Sequence, residues 1–264
     1  MNTQQWALIL GSAGLIALLF FGFNTKPPKQ TLIEKSRAGG VEIQELQNAL
    51  RAALAVLPEE SRKYFQGLEN IVESTQEDSV RIDALMSLSA AWYRQNAYVI
   101  AGYCAERIAQ IGNTEEQWAL AGTTYAAGLT AGTESADHEM AAAGAIRCLE
   151  NAISLNPRNP DNRINLAISY VEAPPADNPM KGIQLLLELN RNNPENVSVL
   201  FHLARFGMRT GQYAKAEERL ERALSLDPEE RRLHCLMAEL QQQAGQPDAA
   251  TIYQQKCDQK NELN

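Results

Sequence analysis

Aromatic residues make up only 6% of these 264 residues, and there are just three histidines and four cysteines. The chain has no GxxxxGK[ST] phosphate loop, no HExxH metal helix and no GxSxG nucleophile elbow. His138, His202 and His234 have no Cys, Asp or Glu partner at metal-ligand spacing, so no metal, no cofactor and no catalytic residue is expected, and an enzyme is not. An excess of positive charge is missing too. The net charge is −8, which argues against a nucleic-acid binder, since that needs a concentrated basic footprint. No CxxC pair occurs. Cys104, Cys148, Cys235 and Cys257 fall in different helical stretches and read as small buried thiols of a reducing compartment.

Charge is also absent from the first 25 residues, apart from the amino terminus. Trp6 to Phe23 (WALILGSAGLIALLFFGF) is a continuous apolar run. As a helix it would extend roughly 27 Å, close to the thickness of a bilayer's hydrocarbon core. Its Leu, Ile and Phe residues favour insertion by roughly 3–6 kcal/mol, more than Ser12 and the glycines cost. A cleaved signal peptide would carry a basic start and small residues at its exit; MNTQQ and LFFGFNTK provide neither. The expectation is a retained single-pass anchor over residues 1–23. Lys26, Lys29, Lys35 and Arg37 follow it, opposed only by Glu34, which places the remainder in the cytoplasm with the periplasm as the alternative.

Residues 24–40 read as a linker, stiffened by Pro27-Pro28 and loosened by Gly39-Gly40. Residues 41–78 predict a helical pair restarted at Pro58, and residues 79–264 predict further pairs. The clearest is VSVLFHLARFGMRTGQYAKAEERLERALSLDPEE, Val197 to Glu230. Leu200, Leu203, Ala204 and Phe206 stripe its first helix, and Ala216, Leu220, Ala223 and Leu224 its second. Gly211 breaks the chain between them and Pro228 ends the second. In AEERLER, opposite charges at i, i+4 predict ion pairs on a solvent face.

This stretch resembles one tetratricopeptide repeat, a helix-turn-helix unit of about 34 residues. Trp118-x-x-Ala121-Gly122-x-x-Tyr125 follows the family's W-x-x-L-G-x-x-Y pattern with one substitution, and Ala145, Leu149, Ala152 and Pro157 complete that unit. Looser units begin at Ile82, Pro160 and Arg231. About five repeats follow one another, with insertions near 128–139 and 173–179; the first adds about eleven residues to the 34-residue pattern, enough to prolong two helices. The resemblance implies an all-α fold, an α-solenoid of tetratricopeptide-type helix pairs joined to the N-terminal transmembrane helix. That order of elements is similar to small membrane-anchored repeat proteins of bacteria.

In such proteins the first helices of successive repeats line a groove that holds partner segments. The resemblance turns Tyr93, Arg94, Thr123, Asn165, Phe201, His202, Arg205, Arg209 and Arg232 towards it. Phe201, Arg205 and Arg209 recur at i, i+4, i+8, which predicts an aromatic and cationic strip suited to acidic or carboxylate-bearing segments. The lysine and asparagine pattern of chaperone-binding repeats is missing: Met86, Ala90, Ala119, Thr123 and Ile164 stand there, and only Asn165 fits. The reading is a protein-interaction scaffold at a membrane. An assembly factor of the cytochrome c maturation type and a structural homo-oligomer are the alternatives.

Overall fold

The structure is a computed structural model that describes residues 44–131 and 135–259. The expected membrane anchor and linker lie outside the described residues. The chain divides into two compact units, Met1–Arg51 and Ala52–Asn264. In the first, the described residues, 44–51, are helical. In the second, the end of that helix, residues 52–56, precedes eleven helices: α1 (Glu59–Ser74), α2 (Asp78–Arg94), α3 (Tyr98–Gly112), α4 (Glu115–Thr130), α5 (Ser135–Leu155), α6 (Pro160–Glu172), α7 (Lys181–Asn192), α8 (Val197–Arg209), α9 (Tyr213–Leu226), α10 (Arg231–Gln243) and α11 (Pro247–Asp258). No strand occurs among the described residues, and none of their helices is long and apolar enough to cross a membrane.

Local chemistry sets the helix starts. The Thr114 hydroxyl accepts from the Gln117 amide while the Gln117 side chain accepts from the Thr114 amide, a reciprocal cap that satisfies two donors left over by the first turn of α4. Asn159, followed by Pro160, caps α6, and Asn196 caps α8. Gly211 and Gly245 sit at φ +73° and +74° between α8 and α9 and between α10 and α11, where a side chain would be strained.

The helices pair in order, and each pair packs on the next. Phe65 of α1 stacks on Trp92 of α2 with ring centroids 4.0 Å apart, so α1 covers the first pair. Tyr125 of α4 lies where a Cβ on Gly102 (α3) or Gly144 (α5) would come within 2.5 and 2.7 Å of its ring. Its hydroxyl donates to Glu106 at 2.9 Å, and Arg147 of α5 donates two further bonds to that carboxylate at 2.7 and 2.8 Å. One buried carboxylate thus ties three helices together. α5, at 21 residues, is the longest described helix, and Ser135, in the expected insertion, is its first residue.

Helix α8 has two apolar faces where the sequence suggests one. Leu203 and Phe206 join Ile164, Ala167, Leu186 and Leu189 of the preceding pair. Leu200, Ala204 and Met208 join Ala216, Leu220, Leu233 and Met237 on the other side. A repeat in mid-array has a neighbour on each side, so its first helix is buried twice. Ala145, Ala152 and Ala216 are fully buried at such contacts.

Two sequence expectations are corrected. Arg219 Nη1 donates to the Leu203 carbonyl of α8 at 3.1 Å and makes no ion pair among the described residues; Glu217 accepts from Gln241 of α10. Glu218 and Arg222, the opposite charges at i, i+4, form no ion pair among the described residues, and Glu217 and Arg219 bridge to neighbouring helices instead. Cys235 and Cys257 are not thiols. They are joined by a disulfide between α10 and α11 with Cα atoms 4.8 Å apart, while Cys104 and Cys148 are buried and lie outside it. Successive helices folded back on each other bring distant cysteines within bonding reach, which chain spacing does not reveal.

Candidate functional groove

The nine residues proposed for the groove fall into two clusters on first helices, with Asn165 of α6 apart from both. The first cluster holds Tyr93, Arg94 and Thr123. They border an open cavity of about 550 Å³ whose walls are Met86, Ala90 and Tyr93 of α2 and Leu120 and Thr123 of α4. Its floor comes from Ala105 and Ile108 of α3. Met86, Tyr93 and Leu120 are 56, 47 and 59% exposed, so three large apolar side chains face solvent from two facing helices. Most of the polar lining is already satisfied. The Ser89 hydroxyl donates to the Ala101 carbonyl, and those of Thr123 and Thr124 donate to carbonyls one turn back in α4. Arg94 is exposed, borders a second hollow with Glu60 and Tyr64, and makes no ion pair among the described residues.

The second cluster lies on α6, α8 and α10, and it includes two acids that the sequence reading passed over. Arg209 Nη1 donates to both oxygens of Glu172, at 2.7 and 2.9 Å, and Arg205 approaches the same carboxylate at 3.5 Å. Both guanidinium groups also lie over the Phe206 ring, at 4.9 and 5.5 Å. Arg232 reaches over Phe201 at 5.6 Å and is held by Glu230, which accepts from its Nε at 3.0 Å. The expected strip of bare positive charge is therefore largely neutralised by its own chain. The one signal for Glu172 was its place at the end of the preceding first helix, one repeat before Arg205.

His202 sits half-buried within this cluster. Its ring lies edge-on to Phe201 at 5.1 Å, and Nδ1 is buried without a hydrogen-bond partner. Burial, with Arg205 and Arg232 close by, pushes its pKa down from 6.5 to about 4, so the ring is neutral at physiological pH. Burial also lowers the pKa of Arg205. Asn165 is half-buried, and its backbone carbonyl accepts from the Ser169 hydroxyl at 3.0 Å. Among the described residues no group of His, Cys, Asp and Glu side chains is arranged to hold a metal ion.

The tetratricopeptide repeat family profile matches residues 181–240 and again 207–252, which cover α7 to α10 and the first half of α11. Among solved structures, a thermophilic TPR protein of Thermus thermophilus is 17% identical and superposes with a TM-score of 0.52 over 69% of this chain and 93% of that one. MamA from Desulfovibrio magneticus RS-1, from its residue 41 onward, is 15% identical with a TM-score of 0.42, over 67% of this chain and 92% of that one. Only the former is close enough to bear on the fold. No curated protein sequence matches the chain.

Proposed function

We propose that this chain, whose residues 181–252 match the tetratricopeptide repeat family, is a membrane-tethered scaffold that binds a segment of a partner protein in the groove lined by its first helices. The observation that carries this reading is the open cavity between α2 and α4, where Met86, Tyr93 and Leu120 stay exposed although neighbouring apolar residues are buried. Binding rather than catalysis is the role proposed, since the sequence carries no recognised catalytic motif and the groove's hydroxyls are tied to backbone carbonyls. Residues 6–23 provide the tether by their length and lack of charge. A tethered chain stays with membranes through high-salt and carbonate washing, and a mature N-terminus near residue 24 would contradict it.

Two observations bear on which side of the membrane holds the repeats. The basic residues after the anchor favour the cytoplasm, but the excess is small. The Cys235–Cys257 bond supports the oxidising side, because cytosolic thiols are kept reduced. We adopt the oxidising side. That placement also suits an assembly factor for envelope complexes better than a cytoplasmic scaffold.

The groove reading is tested by placing a photo-crosslinking residue at position 123 or at position 187 and irradiating intact membranes. Leu187 is an exposed residue of the second helix α7. The account predicts a discrete crosslinked partner from position 123 and none from position 187. The reverse pattern would move the binding surface to the second helices.

A further inference from the structure

Resting on that scaffold reading, we infer that the partner segment is recognised by the α2–α4 end of the groove, and that it carries apolar side chains for the cavity and one side-chain carboxylate for Arg94. Four arginines on first helices stand in or beside the two clusters. Arg205 and Arg209 are engaged by Glu172, and Arg232 by Glu230. Arg94 makes no ion pair among the described residues, so an incoming carboxylate meets it without displacing an internal one. It stands at the rim of a cavity walled by exposed Met86, Tyr93 and Leu120.

The satisfied hydroxyls of Ser89, Thr123 and Thr124 leave few groups to bind a polar ligand, and uncharged polar side chains would lose their hydration there. Charge limits the acid content as well. The chain carries a net charge of −8, with Glu60 on the far side of Arg94, so a run of acids is repelled while a single carboxylate is attracted. A terminal main-chain carboxylate is normally gripped by several convergent donors; one guanidinium on an apolar rim suits a Glu or Asp side chain.

The test uses the full chain in detergent micelles as bait for phage-displayed random short peptides. The tightest peptide is then made with a fluorescent label, together with its Glu→Gln or Asp→Gln analogue. Both are titrated against the wild type and against Arg94→Gln, Leu120→Lys and Arg209→Gln, with a circular dichroism melt confirming that each variant folds. The expected peptides combine two or more large apolar residues with one acid. Arg94→Gln and the peptide's own Gln analogue should each weaken binding roughly tenfold or more, and together no further. Leu120→Lys should also weaken binding roughly tenfold or more, and Arg209→Gln should leave it unchanged.

Peptides without an acid, or indifference to Arg94→Gln, would overturn the inference. Binding lost with Arg209→Gln but kept with Leu120→Lys would overturn it too, while leaving the scaffold reading intact. Failure to recover any peptide would count against both. Two further outcomes change the occupant and overturn the partner assignment. Peptide binding that appears only after residues 6–23 are replaced by a polar sequence would assign the groove to the chain's own segment. Binding suppressed as the protein self-associates would assign it to a second copy.

Discussion

Arg209 Nη1 donates to both oxygens of Glu172, 37 residues earlier, at 2.7 and 2.9 Å, and so spends on its own chain a charge that the sequence pattern holds out to a ligand. Glu172 is partly buried and also faces Arg205, so it is the shared counter-ion of two guanidinium groups. Glu172→Gln is therefore expected to cost about 1–2 kcal/mol of stability, because Arg205 keeps its partly buried charge without a partner. Thermal melts at low and high salt check this; an unchanged melting temperature would show that the pair contributes nothing. Reversing both arginines is a poor probe of binding, since it would gather three carboxylates at one place.

Glu106 is another shared carboxylate, and a more buried one than Glu172. Replacing it with Gln removes the charge to which Arg147 donates two bonds and gives Tyr125 a weaker acceptor, at an expected cost of roughly 3 kcal/mol. Tyr125→Phe removes only a neutral donor and should cost about 1 kcal/mol. Burial and the adjacent Glu106 push the Tyr125 hydroxyl's pKa upward, so at neutral pH it is a donor. Urea titrations of the two variants side by side measure the difference, and equal losses would contradict this account.

His202 predicts a pH dependence. In the unfolded chain the ring takes up its proton near pH 6.5, and in the fold near 4. Its contribution is complete above 6.5 and is lost as pH falls from there to about 4, amounting to as much as about 3 kcal/mol. His202→Gln should flatten that part of a stability-against-pH curve. Glu115 and Glu230, whose pKa values are lowered by hydrogen bonds from three asparagines and from Arg232, lose their contributions in a more acidic window below the ordinary carboxylate value. If His202→Gln leaves the curve unchanged between about pH 6.5 and pH 4, the ring is not held neutral by the fold.

What the sequence made legible was local. The alternation of long and small apolar residues marked the helix pairs, and Gly211 and Pro228 marked the ends within the clearest of them. The links between elements were not legible. Glu172 with Arg209, Glu106 with Arg147, and Cys235 with Cys257 are separated by 37, 41 and 22 residues. Each depends on the rotation of one helix about its axis relative to the next. For the same reason Phe206 reads as one more residue of an apolar stripe, whereas it lies on the opposite face from Leu200 and beneath two guanidinium groups. Tyr93, Arg94 and Thr123 could be placed on first helices, but the cavity they border needed the spacing of α2 and α4 across α3.

The four cysteines give a prediction that bears on the compartment. Alkylation of the folded, unreduced protein should label none of them, since Cys235 and Cys257 are bonded and Cys104 and Cys148 are buried. Burial pushes the Cys104 thiol up to about 12, which further suppresses its reactivity. After denaturation without reductant two should react, and after reduction four. Replacing Cys235 and Cys257 with Ser should cost about 2–4 kcal/mol. Four reactive thiols in freshly lysed, unreduced cells would return the repeats to the reducing side.

The central claim is that a partner segment lies between α2 and α4, and titration tests it most directly. The partner captured from position 123 is titrated against wild-type protein and Leu120→Lys, in the same detergent and salt. Leu120 is 59% exposed, so its replacement leaves the core undisturbed, while a lysine there puts a desolvated charge under the ligand. The account predicts an affinity loss of roughly tenfold or more at an unchanged melting temperature, corresponding to about 1.4 kcal/mol or more. Equal affinity in a folded Leu120→Lys variant would contradict it.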